Sequence, residues 1–262
     1  MKMKFTLKNW KMRQPNYNIY PSLLDAFGSY INSSQIYQEY YGFAEEPAIS
    51  EDQFEQQKYQ DLINKINRVP FESEAADKGT MFNEVIDCIV ENRKSKEMAF
   101  VSTTTEIDAI WKDRHFTFNL QDCKTIAKAV KGAICQNYQE GFLQTKYGVV
   151  KIYGYSDFLL PFRVVDLKTT GKYFAFKFRN NWQHIVYPFL LHFNGNFVSD
   201  FTYLIYKWTK TGGEIFEEEY TYEEIRDLPK LIDIIEQFIE FLEANRDKIT
   251  DLKIFNLQKG TT

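Results

Sequence analysis

The sequence predicts an α/β fold with a mixed sheet and the element order α-β-β-β-α-β, in one domain spanning residues 1–262. Three observations lead there. Residues 75–94 place Phe82, Val85, Ile86, Ile89 and Val90 at the i, i+3, i+4, i+7, i+8 spacing of a single helix face. Residues 141–170 hold β-branched and aromatic runs parted by a Tyr-Gly turn and by the connection at Pro161, which reads as a three-stranded antiparallel meander. A helical stretch at 177–193 then leads to the strand FTYLIYK at 201–207.

In chain order, residues 1–20 are basic and aromatic without periodicity, and Ser22 is the expected N-cap of a helix through Leu23, Leu24, Phe27 and Tyr30. A Gln- and Lys-rich helix is expected over 51–66, so residues 1–75 form a helical N-terminal region. After the 75–94 helix comes a Ser/Thr/Asp-rich turn region with the β-like HFTF. Asp122 is the expected N-cap of a helix through Ile126, Ala129, Val130, Ala133 and Ile134, and the whole span from about 95 to 140 reads as a helical elaboration. Past residue 207, a strand is expected at 214–220. Thr221 and Glu224 make a capping box, and Pro229 restarts a helix with a wide apolar stripe through Leu231, Ile235 and Phe238. Pro188 within 177–193 requires that helix to bend or to begin late.

An apolar content of 44% with 17% aromatics indicates a packed core. No apolar run is long enough for a bilayer, and the basic N-terminus lacks the apolar stretch of a signal peptide. Cys88, Cys123 and Cys135 are scattered and odd in number, which suits free, buried thiols in a reducing cytoplasm. The net charge of −4 argues against nucleic-acid binding over the whole surface, but its distribution is uneven. Residues 167–199 contain no acid yet carry Lys168, Lys172, Lys177 and Arg179, and no acid precedes Asp25 while Lys2, Lys4, Lys8, Lys11 and Arg13 do. Gly171-Lys172 is followed by Tyr173, so there is no phosphate-binding Walker loop. His115, His184 and His192 have no zinc spacing.

The chemistry concentrates at YGVVKIYGYSDFLLPFRVVDLKTT, residues 147–170. In a strand, residues two apart share a face, so Asp166 and Lys168 project together, and a hairpin folded at Pro161 brings Asp157 beside Asp166. Two carboxylates and an ammonium on one site suit a divalent cation and a phosphate oxygen, Mg²⁺ or Mn²⁺ being the natural choice. Set against this is a surface hairpin with a salt bridge, which a lone D-x-K would more often be.

The ordered set Gly154-x-x-Asp157, Asp166-x-Lys168 and Gln183-x-x-x-Tyr187 resembles the RecB-like branch of the PD-(D/E)XK nuclease superfamily, the phage-type exonucleases in particular. An upstream G-x-x-x-H-x-x-x-E of that branch is matched here by Gly79, Asn83 and Asp87, with Asn for His and Asp for Glu. The segment YPSLLDAF resembles its opening S-x-L-x-x-F, and three cysteines are too few for the four-Cys iron–sulfur cluster some members carry. The resemblance implies a restriction-endonuclease-like PD-(D/E)XK core with added helices, and metal-dependent hydrolysis of DNA. Asp157, Asp166 and the Leu167 carbonyl would hold the metal, Asn83 or Asp87 would complete the set, and Lys168 would activate water. It places Gln183, Tyr187, Thr169, Lys172, Lys177 and Arg179 on the nucleic acid, and makes a phage recombination protein a possible partner. The rival expectation is a catalytically impaired DNA-binding accessory protein, motivated by Asn83.

Overall fold

Both faces of one six-stranded sheet are covered, and each face has its own apolar core. A computed structural model describes residues 14–256. The basic group Lys2 to Arg13 lies outside these described residues.

The short strand β1 (Tyr17–Ile19) runs into α1 (Pro21–Ile31), with Tyr20 at the N-cap and Pro21 in the first turn. Ser22 is therefore inside the helix and does not cap it. Proline fits there because its missing N–H would have had no helical partner. Helices α2 (Ser33–Tyr41) and α3 (Glu51–Ile66) follow. Ser50 caps α3 by a reciprocal pair with Gln53, at 3.2 and 2.9 Å. Helix α4 (Glu74–Glu91) starts on the Ser73 hydroxyl.

The segment expected to be a helical elaboration is mostly sheet. Strands β2 (Ala99–Ser102), β3 (Glu106–Trp111) and β4 (Arg114–Asn119) form a separate antiparallel sheet, and only α5 (Leu120–Ala129) is helical. Alternation explains it: Ile107 and Ala109 point into a core while Glu106 and Asp108 do not. The cap of α5 is Asn119, not Asp122. The Asp122 carboxylate instead accepts from Tyr206 Oη at 2.6 Å and from the Gly213 N–H at 3.0 Å.

Strands β5 (Ile134–Thr145) and β6 (Gly148–Leu159) form a long hairpin, followed by β7 (Arg163–Thr170). Helix α6 (Gln183–Phe193) begins six residues later than the expected Lys177, and contains Pro188. Strands β8 (Asp200–Trp208) and β9 (Gly213–Thr221) and helix α7 (Glu224–Ala244) complete the order. The cap of α7 is Glu223, and the Asp227 carboxylate accepts its N–H at 3.0 Å. The Thr221–Glu224 box is not formed, and Pro229 lies inside the helix.

One edge of β6 pairs with β5. The other is divided: residues 150–152 run parallel to β1, and Phe158 and Leu159 pair antiparallel with Val165 and Val164 of β7. Strand β7 lies parallel to β8, which is antiparallel to β9. The centre of the sheet is buried on both faces. Phe201, Tyr203 and Ile205 enter the core shared with α1, α6 and α7, while Val165, Leu167, Leu204 and Tyr206 enter the core shared with α4 and α5. All three cysteines are buried free thiols. No helix of the described residues is long and apolar enough to cross a membrane.

Candidate active site

The site forms where the hairpin of β6 and β7 stops pairing. The register that joins Phe158 to Val165 would next join Asp157 to Asp166, but the ladder ends there. In its place the Asp157 carboxylate accepts the Leu167 N–H at 2.9 Å. Val165 and Leu167 are committed to the core, so Asp166 and Lys168 turn to the other side, as strand alternation requires. Lys168 Nζ stands 2.7 Å from Asp166 Oδ2. The first residue of α6 closes the group. Gln183 Nε2 donates to Asp166 Oδ1 at 2.8 Å, and Gln183 Oε1 accepts from Lys168 Nζ at 2.5 Å.

Burial alone would favour a neutral Lys168, but the carboxylates of Asp166, Asp157 and Asp25 outweigh it and hold the ammonium above its ordinary pKa. Asp157 is pushed above the usual carboxylate range by burial first and by the Asp166 charge second. Two carboxyls at one place resist simultaneous ionisation unless a cation joins them.

Helix α4 supplies a second wall. A pocket of about 670 Å³ is lined by Asn83, Asp87, Gln136 and Asp157, together with Glu84 and Glu91. The last two border this pocket, where Arg93 pairs with them at 2.7 and 2.5 Å. Asp87 is 2% exposed, and burial raises its pKa to about 6. Its Oδ2 accepts from Gln136 Nε2 at 3.2 Å, while its Oδ1 and the Asn83 Oδ1 are buried without a hydrogen-bond donor. Gly79 explains how α4 comes so near: a Cβ there would lie 2.7 Å from Thr169 Oγ1.

Gly154 serves the same purpose on β6. A Cβ there would meet Pro21 at 3.1 Å and the Tyr187 ring at 3.2 Å. Tyr187 Oη donates to the Tyr155 carbonyl at 2.6 Å. Gln183 and Tyr187 are one helical turn apart but differ in role: Gln183 belongs to the polar group, whereas Tyr187 is buried and braces the strand. Of the residues expected along a nucleic acid, Thr169 sits beside Gly79, and Lys177 is turned inward, donating to Thr170 Oγ1 and the Lys172 carbonyl at 2.7 Å each. Lys172 and Arg179 are exposed, Arg179 lying 3.4 Å from Glu39.

Sequence reasoning missed two polar neighbours, Asp25 and Gln136. Asp25 accepts the Trp182 N–H at 2.6 Å, next to Gln183, and burial raises its pKa to about 6. Its signal was a carboxylate inside the apolar run LLDAF. Gln136, opposite Asp157 in the hairpin, holds a left-handed φ of 48° within β5. Nothing in the residues around it announces that conformation.

His184 adjoins Gln183 but faces away from the site, stacking on Tyr220 at 4.3 Å with Nδ1 3.4 Å from Tyr203 Oη. Burial lowers its pKa to about 4. The unfolded imidazole takes a proton near pH 6.5 and the folded one does not until about pH 4, so stability falls as pH drops through that window. The expected loss is up to about 3 kcal/mol, read as a falling denaturation midpoint, and His184→Gln should flatten the slope.

Asn83 Oδ1 and Asp87 Oδ1 are acceptor oxygens buried without a hydrogen-bond donor, and Asp166 Oδ2 faces the Lys168 ammonium at 2.7 Å; oxygens of this kind are the donor chemistry of a hard divalent cation. Among the described residues no three His, Cys, Asp or Glu side chains are grouped closely enough to hold a metal by themselves. A fitting set would be two carboxylates completed by neutral oxygens, such as Asn83 or the Leu167 carbonyl, and water.

No family model matches the chain, and no curated protein matches it. Among solved structures, one described as "Crystal structure of SSO0001" has a TM-score of 0.44 and 11% identity, covering 91% of this chain and 83% of that one. A likeness at that level carries no functional argument, and the site is interpreted on its own chemistry.

Proposed function

We propose that this chain is a divalent-metal-dependent deoxyribonuclease of the PD-(D/E)XK type, an exonuclease of phage-type DNA recombination or processing. The observation that carries the reading is the convergence of Asp157, Asp166, Lys168 and Gln183 where β6 and β7 part. The element order α4, β5, β6, β7, α6, β8 supports it, being α-β-β-β-α-β with one insertion.

Asp157 and Asp166 would hold Mg²⁺ or Mn²⁺, with Asn83 or Asp87 and the Leu167 carbonyl as further donors. The cation, when bound, would polarise the scissile phosphate and make a water more acidic. Lys168, kept protonated by its carboxylates, orients that water and offsets charge that develops on the phosphate. Gln183 fixes the Lys168 ammonium and one Asp166 oxygen in place. Lys172 and Arg179 would meet the phosphate backbone, and the reaction would take place in the cytoplasm.

The test is digestion of end-labelled linear DNA and closed-circular DNA with Mg²⁺ or Mn²⁺. Degradation of linear DNA alone is expected. Cutting of circles would make the enzyme an endonuclease, and no cleavage with either metal would refute the reading. Asn83, a neutral amide in that wall, favours a second reading, in which the chain binds DNA as a recombination-accessory protein without cutting it.

A further inference from the structure

A line of tyrosines leads along the β5–β6 hairpin toward Asp157. Alternate residues of a strand stand about 7 Å apart, and Tyr153 and Tyr155 are the two alternate positions that precede Asp157 on β6. Across the hairpin, Tyr138 is the register partner of Tyr155. These two rings lie 5.0 Å apart, and although they belong to regular strands of a well-packed sheet they remain 43% and 56% exposed. Farther along, Tyr153 meets Tyr20 at 5.9 Å, and the Arg68 guanidinium lies 5.9 Å from the Tyr20 ring and donates to Tyr153 Oη at 3.2 Å.

The line is built to stay in place. Tyr187 holds the Tyr155 carbonyl from beneath, and Gly154 lets it come that close. Tyr138 Oη is fixed by donation to Glu140 at 2.8 Å. The Tyr138 and Tyr153 hydroxyls are thus tied down, and Tyr155 is held through its backbone, while the Tyr138 and Tyr155 rings remain largely exposed. Lys151 and Arg68 are the cations alongside, paired to Glu140 at 2.6 Å and to Asp251 at 2.6 Å.

We infer that this tyrosine line is a stacking platform for unpaired bases, which delivers a single-stranded DNA end to Asp157. The inference rests on the nuclease reading for what happens at Asp157, but the binding surface stands without it. Aromatic faces bind any base, because every base has a π-face, and only a strand with unstacked bases can present one. A duplex hides those faces, so the platform selects single-stranded over double-stranded substrate. Its continuity with Asp157 says where the strand ends.

The test is anisotropy of the full chain with fluorescent oligo-dT, with an abasic strand of equal length, and with duplex DNA, all in EDTA so that nothing is cut. Oligo-dT is expected to bind about tenfold or more tightly than the abasic strand, and more tightly than duplex. Tyr138→Ala/Tyr155→Ala should erase that preference, and Tyr138→Phe/Tyr155→Phe should retain it. Both pairs are exposed, so thermal melting of each variant should match the parent. Equal affinity for oligo-dT and the abasic strand, tighter duplex binding, or an unchanged preference in the alanine pair would overturn the inference. A tyrosine-dependent preference in a protein that cuts nothing with Mg²⁺ or Mn²⁺ would uphold the platform and sink only the nuclease reading.

Discussion

Asp166→Asn is expected to reduce metal-dependent DNA cleavage by about a thousandfold or more, with little change in melting temperature. The substitution keeps the shape of the side chain. An asparagine can present its carbonyl oxygen to Gln183 Nε2, which preserves the 2.8 Å bond to α6. Its amide nitrogen then stands where Oδ2 faces Lys168, so an attraction at 2.7 Å becomes a repulsion and an anionic metal donor is gone. Lys168 is partly exposed and can turn to water, which limits the cost to the fold. Single-turnover release of an end label, beside a thermal melt, separates the two effects. Wild-type rates in Asp166→Asn would remove this residue from the site.

Phe82→Ala should destabilise the protein by about 3–5 kcal/mol, measured as a shift of the urea midpoint. Phe82 is fully buried on α4, with ring centroids of Phe118, Tyr206 and Trp208 at 5.2, 4.6 and 5.1 Å. It is the aromatic hub of the core shared by α4, α5 and the small sheet, so truncation leaves a cavity lined by rigid rings that cannot collapse into it. It also adjoins Asn83, and α4 is the wall that holds Asn83 and Asp87 against the pocket. Cleavage should therefore decline with stability, and a shift below about 1 kcal/mol would show that this core repacks easily.

How much of this was legible in the sequence depends on how far apart the interacting residues lie in the chain. The β6–β7 hairpin and the shared direction of Asp166 and Lys168 follow from period-two alternation and from Pro161, and the structure has both. The apolar face of α4 follows from its helical spacing. The small sheet was missed although Glu106–Trp111 alternates, because the Lys112–Asp113 turn lacks an Asn-Gly or Asp-Gly signal. The late start of α6 was invisible for another reason. The loop before it is held by carboxylates from elsewhere: Glu218 accepts from Tyr173 Oη and the Phe178 N–H, and Asp25 from the Trp182 N–H. Those bonds give the loop backbone partners that a helix would otherwise supply. The two glycine contacts, Gly79 with Thr169 and Gly154 with Tyr187, were marked as motif positions, but their purpose needed the third dimension. Asp25 and Gln136 come from elements that no local pattern connects to Asp166.

Gln183 has a cation on its oxygen and an anion against its nitrogen, and this settles a matter of orientation. An amide in a neutral environment can be turned over at little cost, exchanging its two ends. Here a flip would set an NH₂ group against the Lys168 ammonium and an oxygen against the Asp166 carboxylate, turning two attractions into two repulsions. The first residue of α6 thus reads the polarity of the strand beneath it, and the helix is keyed to β7 in one sense only. A glutamate in its place would keep the attraction to Lys168 and oppose Asp166, so the neutral, two-ended amide is the side chain that satisfies both.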